Sequence, residues 1–161
     1  MINISEKLKG IKILAKKKDL ILSTAESCTG GLIAKYLTDL PGSSEFYDSS
    51  FITYSNSSKS LLLGVENQLI ETYGAVSKEV VIEMCNGLLI KNNANLGISV
   101  SGIMGPTLDN TAKKVGSVWS CFKYKDQIKA YHFELTGTRS ENREATAKTV
   151  IINLYDFINE L

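Results

Sequence analysis

Six consecutive residues, Glu26-Ser27-Cys28-Thr29-Gly30-Gly31, hold the densest reactive chemistry of the chain. They follow the mostly apolar run Leu20 to Ala25 and precede Leu32, Ile33, Tyr36 and Leu37 at helical spacing, a pattern that predicts a strand–turn–helix unit with its polar groups at the turn. In open α/β sheets, ligands bind at the carboxyl ends of strands, where this turn would lie. A hydroxyl or thiol at the start of a helix also sits near backbone amides that helical bonding leaves free, and these can hold an anion or a developing oxyanion. Gly30 and Gly31 permit close approach of a backbone or a ligand. Ser27, Cys28 and Thr29 are each candidate nucleophiles; the competing reading is that the hydroxyls cap a helix and the cysteine packs. The glycine spacing fits neither a P-loop nor a dinucleotide-binding fingerprint.

A serine nucleophile needs a base. His132, the one histidine, stands between Tyr131 and Phe133 inside an expected strand, away from any strand end, and reads as a structural or surface residue. Lysine can serve instead when burial or a neighbouring positive charge lowers its pKa. Tyr54-Ser55-Asn56-Ser57-Ser58-Lys59 places a lysine in a hydroxyl-rich turn just after an expected strand, and Lys59 has the least surface-like company of the lysines. Arg139 and Arg143, four apart, share one face at the start of the last expected helix and could bind phosphate or carboxylate. The alternative leaves Arg139 solvated and pairs Arg143 with Glu144 or Asp126.

The elements that must position these groups follow from periodicity. Ile4, Leu8, Ile11 and Leu14/Ala15 predict an amphipathic helix ending in Lys16-Lys17-Lys18, basic residues that suit a helix carboxyl end better than a nucleic-acid contact. Pro41-Gly42 closes the helix after the reactive turn. Strands are expected over 46–54, 96–101, 115–122 and 128–135, the last two as an antiparallel hairpin about Lys125-Asp126. Helices are expected over 57–63, from an N-cap at Ser77 through Leu89, and from a Thr138/Glu141 capping box to Leu161, with another short element beginning at Leu69-Ile70 and broken by Gly74. Met84 and Cys85 fall on the apolar face of the Ser77 helix and read as core. The expected architecture is a three-layer α/β/α sandwich with a mixed sheet, one domain over 1–161.

Composition bounds the function. A 43% hydrophobic, 22% charged chain of 161 residues is globular and can bury one sizeable core. Its net charge of +1 argues against a broad nucleic-acid footprint, and its tyrosines do not interleave with basic residues. No apolar run is long enough to cross a membrane or to act as a secretory signal. Cys28, Cys85 and Cys121 show no zinc or CxxC spacing, so a reduced, cytoplasmic setting without metal or cofactor is expected.

Taken together, Ala25 to Gly31, Tyr54-Ser55-Asn56 with Lys59, Leu63-Gly64-Val65, Gly74-Ala75-Val76-Ser77, Ser101 to Pro106, Gly116-Ser117-Val118, and Arg139 with Arg143 resemble the carboxy-terminal domain of the competence/damage-inducible protein CinA, a family that includes stand-alone nicotinamide mononucleotide deamidases. The pieces occur in the family's order over about residues 5 to 160. The resemblance implies an α/β/α fold, a homodimer, and hydrolysis of the carboxamide of nicotinamide mononucleotide to nicotinate mononucleotide and ammonia, in pyridine nucleotide salvage. It implies Ser27 as nucleophile with Lys59 and Tyr54 as its partners. It implies a nucleotide pocket drawn from Glu26, Cys28, Thr29, Gly30, Gly31, Asn56, Arg139, Arg143 and the Ser101–Pro106 loop with Gly102 and Gly105. The chain starts just before the first helix of that domain, as expected of a stand-alone form.

The chain departs from the family pattern Thr-Gly-x-Ala-Gly-Pro by carrying Ser101 and Met104, and its following loop, Thr107 to Lys114, lacks the family's glycines. Ser101 keeps a hydroxyl. Met104 adds volume, and Asp109 would repel a phosphate if it turned inward. The expected chemistry is acyl transfer, with Lys59 taking the Ser27 proton directly or through Tyr54. The alternative is a catalytically inactive nucleotide-binding or regulatory member of the same family; a protein whose polar turns only cap helices is a third reading.

Overall fold

The computed structural model describes residues 3–108 and 112–161. The elements run α1 (Ile4–Lys17), β1 (Leu22–Glu26), α2 (Leu32–Thr38), a single 3₁₀ turn (Ser43–Glu45), β2 (Tyr47–Ile52), α3 (Asn56–Leu63), α4 (Asn67–Tyr73), α5 (Lys78–Lys91), β3 (Leu96–Gly102), β4 (Ser117–Tyr124), β5 (Gln127–Glu134) and α6 (Arg139–Glu160). The strands form one sheet in the order β2-β1-β3-β4-β5. β2, β1 and β3 are parallel, and β4 and β5 complete the sheet antiparallel. The sheet is therefore mixed, and helices cover both faces: α1, α2 and α6 on one, α3, α4 and α5 on the other. This is the expected three-layer sandwich.

Alternation along the strands assigns the two cores. Leu96, Ile98 and Val100 of β3 join Leu22, Val118 and Phe122 under α1 and α6. The intervening small residues of β3 face α5, where Ser99 Oγ donates to the Val81 carbonyl at 2.6 Å and so lets the helix backbone approach the sheet closely. Ser77 caps α5 through the Val80 amide, and Thr138 with Glu141 forms the expected capping box on α6.

Element boundaries shift where backbone geometry overrides hydrophobicity. β1 starts at Leu22 rather than Leu20 because Asp19 takes φ 51° and the Leu20 amide bonds back to the Ala15 carbonyl at 2.9 Å, closing α1. β4 starts at Ser117 rather than Val115 because Gly116, at φ 90°, turns the chain so tightly that a Cβ there would lie 1.8 Å from the Leu135 carbonyl oxygen.

One contact between helices fixes the element that carries Lys59. A Cβ on Gly87 of α5 would fall 1.7 Å from the Leu63 carbonyl oxygen at the end of α3, so only glycine lets the two backbones meet. The obstacle is main chain and cannot swing aside. Gly87→Ala is expected to lose at least about 1–3 kcal/mol of stability through overpacking, read as a lower urea midpoint with an unchanged slope.

Candidate active site

The turn that carries Ser27 is held from behind by a buried carboxylate. Glu26, at 0% exposure, ends β1 and bends its side chain toward the start of α2. Its Oε2 accepts from Thr29 Oγ1 at 2.6 Å and from the Gly31 and Ile33 amides at 2.9 and 3.2 Å; its Oε1 accepts from the Ala34 amide at 2.8 Å and from Thr24 Oγ1 at 3.3 Å. The helix-start amides expected to be open to a ligand anion are thus taken by the protein itself. From the opposite side, Arg143 donates through Nε to the Cys28 carbonyl at 3.1 Å and through Nη2 to the Thr29 carbonyl at 3.0 Å. Among the described residues, the amides of Cys28 and Thr29 donate to no carbonyl of another residue, and the Cys28 amide lies against its own thiol.

Between these braces, Ser27 faces Lys59. α3 begins at an N-cap provided by Ser55, and its first turn points Lys59 inward, where the residue is 1% exposed. Lys59 Nζ donates to Ser27 Oγ at 3.1 Å and to the Thr53 carbonyl at 2.9 Å. Burial disfavours the ammonium and pulls its pKa down from 10.5 to about 8. A lysine in this state is partly neutral near physiological pH and can take a proton from a hydroxyl it touches.

Both residues border a cavity of about 260 Å³. Ser27, Cys28 and Lys59 form one side, the strand end Ser101 and Gly102 with Ile103, Met104 and Gly105 another, and Tyr54, Asn56 and Arg139 the rim. Arg139 is itself held by the Gly105 carbonyl at 2.9 Å and by the Tyr54 hydroxyl. Of the residues singled out from sequence, the structure gathers Ser27, Cys28, Tyr54, Asn56, Lys59, Ser101, Gly102, Gly105 and Arg139 around this cavity. Glu26, Thr29, Gly30, Gly31 and Arg143 lie outside its lining. Their polar atoms build the turn, as the bonds of Glu26 and Arg143 show. Arg143 pairs with neither Glu144 nor Asp126; it meets carbonyls. Tyr54 bonds Arg139, while Lys59 reaches Ser27 without an intermediary. Met104 is buried, with Thr146 Oγ1 3.8 Å from its sulfur. Asp109 lies outside the described residues.

The environments of the three nucleophile candidates differ. Thr29 is fully buried, and its hydroxyl proton goes to Glu26. Burial pushes the Cys28 thiol up to about 12, which keeps it protonated and a poor nucleophile. Only the Ser27 hydroxyl combines a place on the cavity wall with contact to a group able to act as a base. His132 sits on β5, bonded through Nε2 to Ser117 Oγ at 2.9 Å and packed on Trp119.

Sequence reasoning gave no role to Ala75, Val76, Thr107 or Leu108, which also line the cavity, nor to the Thr53 carbonyl that holds Lys59. A signal existed for the first pair. Gly74 breaks one helix and Ser77 caps the next, leaving two apolar residues that no helix face claims.

Comparisons with known proteins agree on one family. The family model described as the CinA C-terminal domain matches residues 5–158. A nicotinamide-nucleotide amidohydrolase, PncC, of Enterobacter agglomerans is 51% identical over 111 residues, 69% of this chain and 68% of that protein. A CinA-like protein of Endomicrobium trichonymphae is 43% identical over 142 residues, 88% of this chain but 33% of its own length, so the chain spans about a third of such longer relatives. Among solved structures, the competence/damage inducible protein CihA of Agrobacterium tumefaciens superposes with a TM-score of 0.91 at 37% identity, covering 97% of this chain and 95% of that one. A CinA superfamily protein of Klebsiella pneumoniae gives a TM-score of 0.94 at 27% identity, covering 99% and 100%.

Proposed function

Since the chain belongs to the CinA C-terminal domain family, we propose that it is a nicotinamide-nucleotide amidase that hydrolyses the carboxamide of nicotinamide mononucleotide to the carboxylate and ammonia. The observation that carries the proposal is the contact of Lys59 Nζ with Ser27 Oγ at 3.1 Å, on the wall of a cavity and with the lysine pKa lowered by burial. The name of the Enterobacter relative supports the substrate class.

In the proposed mechanism the neutral Lys59 amine accepts the Ser27 proton as Oγ forms a bond to the carboxamide carbon. The oxyanion that develops cannot use the amides of Gly31, Ile33 and Ala34, which Glu26 occupies. The amide of Cys28, a residue of the cavity wall, is the donor proposed for it. As the tetrahedral species collapses, the C–N bond breaks and the Lys59 ammonium returns its proton to the leaving nitrogen, giving ammonia and a Ser27 ester. Water, deprotonated by the same amine, then releases the acid and restores the serine.

The cavity's size suggests how the substrate lies. At about 260 Å³ it falls below the roughly 300–1,000 Å³ of most ligand pockets. It suits the pyridine ring and its carboxamide, with the ribose phosphate reaching over the rim. Arg139 stands at that rim and is exposed, so of the two arginines it is the one placed to meet the phosphate. The family premise carries with it the expectation of a homodimer, and the cysteine pattern that of a cytoplasmic setting. Among the described residues no helix is long and apolar enough to cross a membrane.

The testing experiment is ammonia release by the purified protein from nicotinamide mononucleotide. Stoichiometric ammonia and nicotinate mononucleotide are expected. Saturable binding of the nucleotide without ammonia would replace this reading with that of an inactive regulatory member.

A further inference from the structure

Glu26 carries a negative charge beside the proposed nucleophile, yet it faces no cation. Among the described residues it takes part in no salt bridge. Five donors surround it instead: three amides of α2's first turn and the hydroxyls of Thr24 and Thr29. The Thr24 hydroxyl continues the network to Tyr47 Oη and Ser50 Oγ, both at 2.8 Å, on the edge strand β2. A carboxylate in this position joins β1, β2 and the start of α2 at one point. Its main chain contributes as well, because the Glu26 carbonyl accepts the Thr53 amide at 2.9 Å, and the Thr53 carbonyl in turn holds Lys59 Nζ.

The residue therefore reaches both halves of the Ser27–Lys59 pair without touching either side chain. Through Thr29 and Gly31 it fixes the far end of the Ser27 turn, and through Thr53 its backbone fixes the segment that binds the lysine. We propose that Glu26 is a positioning residue for the amidase reaction, setting the Ser27–Lys59 geometry as an internal anion that occupies the amides at the start of α2. The inference rests on the amidase reading above. It differs from a ligand-binding role because no Glu26 atom lines the cavity. It differs from ion pairing because Glu26 and Lys59 form no salt bridge.

Gln is the informative replacement. It has the shape of Glu, but its amide nitrogen cannot accept. One of the two oxygen positions becomes a donor aimed at backbone N–H groups, so at least the Ala34 bond, or those of Gly31 and Ile33, is lost. A shift of the turn by a fraction of an ångström misaligns Oγ with both base and carbonyl.

The test is steady-state kinetics of Glu26→Gln and Thr29→Val on nicotinamide mononucleotide, or on another pyridine carboxamide nucleotide if that is the better substrate. For Glu26→Gln, kcat is expected to fall about 10- to 100-fold, with KM within a few-fold and the alkaline inflection of the pH profile unmoved. Thr29→Val deletes one bond to Oε2, so it decides the matter if Glu26→Gln does not fold; a smaller loss in kcat is expected, and Thr29→Ser should restore the wild-type rate. Wild-type kcat in Thr29→Val would overturn the proposal, as would a rise in KM or a moved inflection as the main effect of Glu26→Gln. A wild-type protein silent on every carboxamide would instead sink the amidase reading, an outcome separate from either variant result.

Discussion

Ser27→Ala is expected to lower kcat for carboxamide hydrolysis by about 10⁴-fold or more while leaving nucleotide affinity within a few-fold. The size of the loss follows from what the side chain does. Without Oγ no acyl-enzyme forms, and the neighbouring groups cannot replace it. Thr29 Oγ1 is bonded to Glu26 at 2.6 Å, and the Cys28 thiol stays protonated with a pKa raised to about 12 by burial. Affinity should survive because alanine fits the same space and the rim groups Asn56 and Arg139 are untouched. Cys28→Ala is the matched control, since it alters the same wall by one atom. Its kcat should stay within the wild-type order of magnitude. Ammonia release under initial-rate conditions, with nucleotide binding by calorimetry, separates the outcomes. A Cys28→Ala protein as dead as Ser27→Ala would leave the nucleophile undecided between oxygen and sulfur. Full activity in Ser27→Ala would remove the serine from the mechanism.

The architecture was readable because periodicity and capping signals agreed along the chain. Ser77, Thr138 and Glu141 announced the helix starts they form, and the alternation of Leu96, Ile98 and Val100 announced a strand with one face on the core. The Ser27 turn and Lys59 stood out as polar segments at expected strand ends, and the family resemblance chose Ser27 over Cys28 and Thr29. What stayed hidden depends on where a side chain bends. A carboxylate one residue before Ser27 reads from sequence as a site residue. Only the fold shows that it turns under α2 and takes up the amides of Gly31, Ile33 and Ala34. The two arginines of α6 illustrate the same limit. Helical spacing puts Arg139 and Arg143 on one face, but one turn of helix separates the cavity rim from the flank of the Ser27 turn. Arg139 meets the cavity, whereas Arg143 meets the carbonyls of Cys28 and Thr29.

Lys59→Met supplies the second large effect and ties catalysis to stability through one ionisation. The base in the proposed mechanism is the neutral amine, and burial places its pKa at about 8 in the folded protein. Wild-type kcat/KM is therefore expected to rise with pH through an inflection near 8, the pKa of the free enzyme's base, and to level off above it. Methionine keeps the length of the side chain and its burial but has no proton acceptor of use. It should lower kcat by about 10³-fold or more and erase the inflection. The sign of the stability effect follows from the same shift. The unfolded lysine titrates near 10.5 and the folded one near 8, so this group by itself makes stability rise with pH between those values, against the fall that the raised Cys28 thiol contributes above its unfolded value of 9. The full rise is on the order of 3 kcal/mol, from a shift of 10.5 − 8 = 2.5 units. Below pH 8 the cost of burying the ammonium is fully present. Lys59→Met lacks that group, so the difference in urea midpoint between wild type and variant should move in the wild type's favour between pH 8 and 10.5, the Cys28 contribution being common to both. The lost bond to the Thr53 carbonyl offsets the relief by about 1–3 kcal/mol at all pH values and leaves the slope unaffected. If the variant keeps the alkaline inflection in residual activity, the titrating base lies elsewhere. If it keeps the stability slope, Lys59 is not the group whose proton uptake distinguishes the folded from the unfolded chain.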